Sequence, residues 1–350
     1  MEIGYQSDVL YSICSGYNYY LKTDKKFTPV WNNVSGGNNN INYNVVIHAQ
    51  SDEEYYITDI PVSVIKTMDL NEWKGIICNQ PRNQYFVWPV DVILSGYDSN
   101  NNAIYSLVFP YPRKSFSSDN IINFIDYIEG EDYRFLDEEQ KNGIIKSFLE
   151  AWSSFYSLGY TFHEFTKNRL FINKESKEIF CDFSFLIRKA DGLFDPREYI
   201  SSFLYPEYND MFFYYQGGNG DVTDTMNEFS AMLDLASDYF CISIFIFKMM
   251  IGVLPYEGKH ISYITRNYAE ELAIWRQNYV SHPIFIFDEE DDDNRLSVSS
   301  ESEKYQHRWE SLPDSVRTMF CHIFKQSNAL RKQNDIYCCT PDEWKTILFG

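Results

Sequence analysis

The segment Phe109-Pro110-Tyr111-Pro112 constrains this chain more than any other four residues. Proline has no amide to donate, so this pair of prolines stops a β-ladder. The local pattern of the sequence changes across it. On the N-terminal side, Leu10–Cys14, Tyr17–Lys22, Val45–Ala49, Glu54–Thr58, Val62–Lys66, Tyr85–Leu94 and Ala103–Phe109 are short runs rich in β-branched and aromatic residues, bounded by polar turns. Two stretches interrupt them: a Gly/Asn-rich loop over Trp31–Tyr43, and a helical stretch that follows Asp69 and ends near Pro81. On the C-terminal side the period becomes helical. Ile144, Ile145, Phe148, Leu149, Trp152, Phe155 and Tyr156 recur at three- and four-residue spacing within Gly143–Leu158. Asp238–Gly252 is apolar nearly all round, as expected of a helix central to its domain. Shorter helices are expected around Ser315–Gln326 and Pro341–Leu348, and Tyr208–Asp234 reads as a long loop with some helix. The class expected is α+β, a mostly-β front joined through a proline hinge to a mostly-α back.

Charge narrows the partners. The net charge of −20 repels nucleic-acid backbones and anionic lipid, so neither nucleic acid nor a membrane surface is an expected partner. The 28 Tyr and 27 Phe point to a core built largely of rings. Seven cysteines without metal or disulfide spacing fit reduced thiols and a cytoplasmic location. No secretory leader is recognised at the start. The apolar run Tyr239–Val253 contains Lys248 and falls short of the roughly twenty residues a membrane span needs.

Chemistry is concentrated in Leu158–Leu186, LGYTFHEFTKNRLFINKESKEIFCDFSFL. A helix ends at Gly159 and a polar loop follows. Then Leu170–Ile172 and Glu178–Cys181 form a hairpin, with Asp182 directly after its second strand. Carboxylates at strand ends are common metal and catalytic positions.

This order resembles the catalytic loop and D-F-G segment of protein kinases, most closely divergent bacterial kinase-like proteins. The H-R-D motif falls on Phe162-His163-Glu164, its distal Asn on Arg169, and D-F-G on Asp182-Phe183-Ser184. Tyr205-Pro206-Glu207 sits where A-P-E closes the activation segment, and FVWPVDVI (86–93), HPIFIFDEEDDDNR (282–295) and TPDEW (340–344) resemble further landmarks. The resemblance implies a two-lobed kinase-like fold. Its small mostly-β lobe would be residues 1–109, with extra N-terminal strands, and its larger mostly-α lobe residues 110–350. It also implies ATP and Mg²⁺ as candidate ligands, with Gly36 and Gly37 in the phosphate loop, Glu72 as the helix glutamate, and Glu164 and Asp182 as a degenerate catalytic pair. Asp182 would be the metal ligand.

The departures bear on activity. Glu164 is one methylene longer than the aspartate it replaces, and a misplacement on the order of 1 Å costs roughly a hundredfold. Arg169 has no acceptor atom for Mg²⁺, though it can bind a phosphate or pair with Glu164; a slip of one residue would put Asn168 there instead. Ser184 lacks the freedom of glycine. The strand lysine has three competing placements, Thr58, Lys22 and Lys66, of which Thr58 fits the spacing to Glu72 best. Plainer readings stand beside these: Ser35–Asn40 as an Asn-rich turn, Asp182 as a turn aspartate, His163 as a packed loop residue and Asp288–Asp293 as a solvated acidic loop. The expected function is a pseudokinase that regulates or scaffolds a protein partner, such as a kinase or phosphatase, in bacterial phosphosignalling. The alternative is an active, atypical ATP-dependent kinase or nucleotidyl transferase using Glu164 and Asp182. A module that never binds nucleotide is the third reading.

Overall fold

A computed structural model describes residues 9–29, 42–60, 70–81, 85–111, 120–159, 170–182, 235–259, 283–325 and 338–350. The chain divides into two compact units, Met1–Asp126 with Lys167–Asp195, and Tyr127–Thr166 with Pro196–Gly350.

The first unit is built around a barrel. Strands β1 (Val9–Ser12), β2 (Asn18–Phe27), β3 (Tyr43–His48) and β4 (Glu54–Ile60) are followed by helix α1 (Leu70–Cys78), the short β5 (Phe86–Val87), β6 (Asp91–Tyr97) and β7 (Ala103–Pro110). Six of them close in the order β1-β2-β3-β4-β7-β6, each pair antiparallel. This finding corrects the two-lobed kinase-like arrangement expected above. β1 pairs with β2 on one side (Leu10↔Tyr19) and with β6 on the other (Tyr11↔Leu94), so the sheet is a closed barrel without a free edge and not an open small lobe. The α+β class stands, with eight helices among the described residues. Register shifts between Lys22 and Lys26 and between Leu94 and Gly96 supply the local bend that closure requires.

Alternation along the strands sorts two apolar sets. Leu10, Tyr19, Val46, Ile57, Ile93 and Val108 form the barrel interior. On the outer face Tyr56, Ile60, Leu107, Phe109 and Val92 meet Trp73 and Ile77 of α1. Because both faces are covered, Val45 and Val46 are each fully buried, and the strands read as nearly continuous apolar runs.

A second sheet, in the order β5-β10-β9-β8, adds Val87, Ile121, Phe171 and Phe180 to that outer cluster. It comprises β8 (Ile121–Asn123), β9 (Leu170–Asn173) and β10 (Ile179–Asp182) with β5. The β9–β10 hairpin expected from the sequence is present, its turn held by Asn173 Oδ1, which accepts the Glu175 and Ser176 amides. Tyr85–Leu94, expected as one strand, is divided at Trp88-Pro89-Val90, where the Trp88 indole donates to the Ile76 carbonyl (3.0 Å). Pro110 ends β7 opposite Tyr55, a terminal position that tolerates the missing donor.

The second unit is helical: α2 (Phe124–Glu129, across which the unit boundary falls), α3 (Glu131–Arg134), α4 (Glu138–Tyr156), α5 (Leu235–Ile251), α6 (Ser300–Ser311), α7 (Asp314–Phe324) and α8 (Pro341–Phe349). Capping boxes start α4 (Asp137 with Gln140) and α8 (Thr340 with Glu343). The apolar α5 is buried along most of its described length, with Phe247 against Phe285, Phe320 and Phe324. The Trp344 indole of α8 donates to Ser243 Oγ on α5 (3.1 Å). Asn294 donates to the carbonyls of Tyr256 (2.8 Å) and Ile284 (2.9 Å). Gly258 lies so close that a Cβ there would stand 1.6 Å from the Asn294 carbonyl oxygen, and only glycine fits. The acidic loop anchors Lys325, which pairs with Asp288 (2.8 Å) and Glu290 (3.1 Å). Among the described residues no helix is long and apolar enough to cross a membrane.

Candidate functional site

Of the residues singled out in the sequence, Gly36, Gly37, Glu164, Arg169, Lys66, His163, Asn168, Ser184 and Tyr205–Glu207 lie outside the described residues. The backbones of Glu72 and Asp182 are described, in α1 and at the end of β10, where Asp182 pairs with Val87 of β5. Thr58 and Lys22 are described in full.

Thr58 sits on β4 opposite Leu107, between Tyr56 and Ile60 of the outer cluster. The same cluster contains Trp73 of α1 and Phe180 of β10, so the topology gathers β4, α1 and β10 around one core within the first unit. Thr58 is 8% exposed, and among the described residues its hydroxyl has no hydrogen-bond partner; nor has the indole nitrogen of Trp73, a residue 5% exposed. Each orphaned group carries a desolvation cost of about 1–3 kcal/mol. Aromatic rings fill the neighbouring space: Tyr56 stacks on Phe109 (5.3 Å, 15°), and Phe27 meets both Tyr56 (4.7 Å) and Tyr111 (4.8 Å). Lys22, the rival lysine placement, donates to Glu54 (2.7 Å), which also binds Lys25, and those two amines hold the Glu54 carboxyl below its usual range.

Of these candidates only Thr58 and Lys22 have described side chains, and neither presents a free cation, since Thr58 is uncharged and Lys22 is paired with Glu54. A phosphate cradle needs a cation or a run of free amides. The favoured strand position instead carries a buried, uncharged threonine among rings. An orphaned hydroxyl makes a simple test. Thr58→Val keeps the shape and removes the unsatisfied oxygen, so urea denaturation is expected to show a gain of about 1 kcal/mol. A loss of that size would mean that the hydroxyl has a partner after all.

A second polar arrangement, not foreseen from the sequence, lies inside the barrel. Asp91 is 1% exposed and accepts four hydrogen bonds, from Ser12 (2.8 Å), Ser15, the Tyr19 phenol (3.0 Å) and the Val92 amide (2.8 Å). Burial, and then the Asp91 carboxylate beside it, pushes the Tyr19 phenol far up, so it stays a donor. Further along the barrel wall, Ser106 of β7 donates to Asp59 of β4 and contacts Ser95 of β6 (2.7 Å); Ser95 in turn donates to the Ile104 carbonyl (3.1 Å). Burial raises the Asp59 carboxyl, and the Ser106 hydroxyl offsets part of that rise. Asp91 was visible in the sequence as a charged residue between valines in a strand, a pattern that signals a buried and therefore fully bonded carboxylate.

Among the described residues no group of three or more His, Cys, Asp or Glu is placed to hold a metal ion. No protein-family model and no curated protein matches the chain.

Proposed function

We propose that this chain works by binding, as a regulatory or scaffolding protein for a protein partner such as a signalling kinase or phosphatase, and that it does not transfer phosphate. One observation supports this most directly. Thr58, the placement that the motif resemblance favours for a phosphate-binding lysine over Lys22 and Lys66, is buried, uncharged and set in an aromatic cluster. Phosphoryl transfer is positioning plus charge stabilisation, so a site without that cation loses its principal stabilising charge. The acidic surface implied by the net charge of −20 favours a partner that presents a basic face, and steers such a partner more than it binds it. A cytoplasmic location belongs to the same proposal.

Incubation of the full chain with γ-labelled ATP and either Mg²⁺ or Mn²⁺ tests this. No label is expected on the chain or on added protein acceptors above the level of Asp182→Ala. Label that appears with the natural sequence and disappears in Asp182→Ala would establish the transferase instead.

A further inference from the structure

We propose that a cleft in the helical unit binds a small organic anion, a phosphate or a carboxylate carried on an apolar or aromatic body. The cleft, of about 450 Å³, forms where α2, α3 and the start of α4 meet the C-terminal end of α5 and the helix α6. That volume lies within the roughly 300–1,000 Å³ typical of small-ligand sites.

Its charge runs against the rest of the molecule. In a chain of net charge −20, the cleft gathers Arg134, Lys141, Lys304 and Arg308. Two of these cations are left without a close counter-ion. The Lys141 side chain is 12% exposed, yet its nearest carboxylate, Glu138, stands 4.0 Å away. Arg308 donates one Nη1 bond to the Ile251 carbonyl (2.8 Å) and has no ion-pair partner among the described residues. Burial and then the like charge of Arg308 lower the pKa of the Lys141 amine. The lining also carries three carboxylates: Glu129, which pairs with Lys248 (3.6 Å), Glu301, which accepts from the Tyr305 hydroxyl (2.7 Å) and stands 4.0 Å from Arg134, and Glu131. Two like charges facing one cavity cost free energy that a shared anion returns through charge-assisted hydrogen bonds.

The arrangement is held in place before any ligand arrives. Arg308 closes the C-terminal end of α5 and lies against Gly252, where φ is +100° and a Cβ would come within 2.7 Å of Nη1. Tyr133 is buried behind Lys141 with its hydroxyl on the Met249 carbonyl (3.0 Å), and the Lys141 amine lies over its ring (5.9 Å). Phe135, also in the lining, is 85% exposed and offers a face for the body of the ligand. Cations that converge on a cavity, one of them fixed by a carbonyl and a glycine, are the preorganised half of an anion site.

The site is in the other unit from Thr58, so it stands or falls independently of the function proposed above. Calorimetric titration of the full chain with phenyl phosphate, benzoate and phenol tests it. At least one of the two anions is expected to bind saturably and phenol is not, with affinity falling as salt is raised. Stronger binding of phenyl phosphate assigns a phosphate ligand, and stronger binding of benzoate a carboxylate. Lys141→Met is expected to weaken the preferred anion about tenfold or more, while Lys141→Arg stays within a few fold. Phe135→Ala, at an exposed position that leaves folding intact, is expected to weaken it about threefold. Failure of both anions to bind at concentrations on the order of 10 mM, or unchanged affinity in Lys141→Met and Phe135→Ala together, would overturn the proposal.

Discussion

Asp91→Ala is expected to destabilise the barrel by about 3–5 kcal/mol, the sum of the roughly 1–3 kcal/mol lost at each of the two buried donors it would leave unsatisfied. Two of the four donors that Asp91 accepts have no substitute. Ser12 and Ser15 are partly exposed and can turn to water, but the Tyr19 phenol and the Val92 amide are buried and would be orphaned. Asp91→Asn, which keeps the shape and one acceptor oxygen, is expected to lose less, about 1–2 kcal/mol. Amide exchange read at β1 and β6 isolates the barrel from the helical unit, whose unfolding is not assumed to be concerted with it. Protection at Leu94 and Ile93 should drop by roughly two orders of magnitude or more in Asp91→Ala, since 1.4 kcal/mol is a factor of ten. A double-mutant cycle with Tyr19→Phe should return a coupling near 1 kcal/mol. Loss of less than about 1 kcal/mol in Asp91→Ala would show that the carboxylate is dispensable to closure.

Phe247→Ala is the corresponding expectation for the helical unit, at about 3–5 kcal/mol. Its ring is fully buried and lies within 5.1 to 6.3 Å of five other rings, those of Phe285, Phe287, Trp309, Phe320 and Phe324. Edge-to-face contacts of this kind add about 0.5–1.5 kcal/mol beyond area burial. Rings on several elements must collapse together to fill the hole, so little relaxation is available. Phe247→Leu should cost distinctly less. Near-ultraviolet circular dichroism through a thermal ramp reports the cluster directly. Equal midpoints for the two variants would argue against a cavity as the cause.

Strand and helix positions were largely legible because period and burial coincide. The β9–β10 hairpin and the helices α5, α7 and α8 fall within a few residues of where the sequence puts them. α4 begins five residues before the apolar period at Gly143, and its earlier start is signalled only by the capping residues Asp137 and Gln140. α6 escaped altogether. Its SESEKYQHRWES buries Trp309 alone, so there is no apolar stripe to detect.

What propensity could not give is partnership. Val9–Ser12 reads as a strand anywhere, and its pairing with β6, some eighty residues away, depends on the full outline of the barrel. That one pairing replaced the expected kinase-like lobe with a closed barrel. The site suffered from the same limit. A resemblance of motifs directs attention to Thr58 and Asp182, whereas Asp59, Ser95 and Ser106 come together only once three strands are in register.

Closure by β1 also sets an order of events during synthesis. β1 is the first described strand to leave the ribosome, yet its second neighbour, β6, follows much later, and until the two pair β1 and β6 would each keep an open edge. The first unit waits longer still, because Lys167–Asp195 belongs to it and is translated only after Tyr127–Thr166. The chain therefore cannot finish its N-terminal unit before it has begun its C-terminal one. A fragment ending at Asp126 would contain every barrel strand and lack the β9–β10 hairpin that covers the outer cluster.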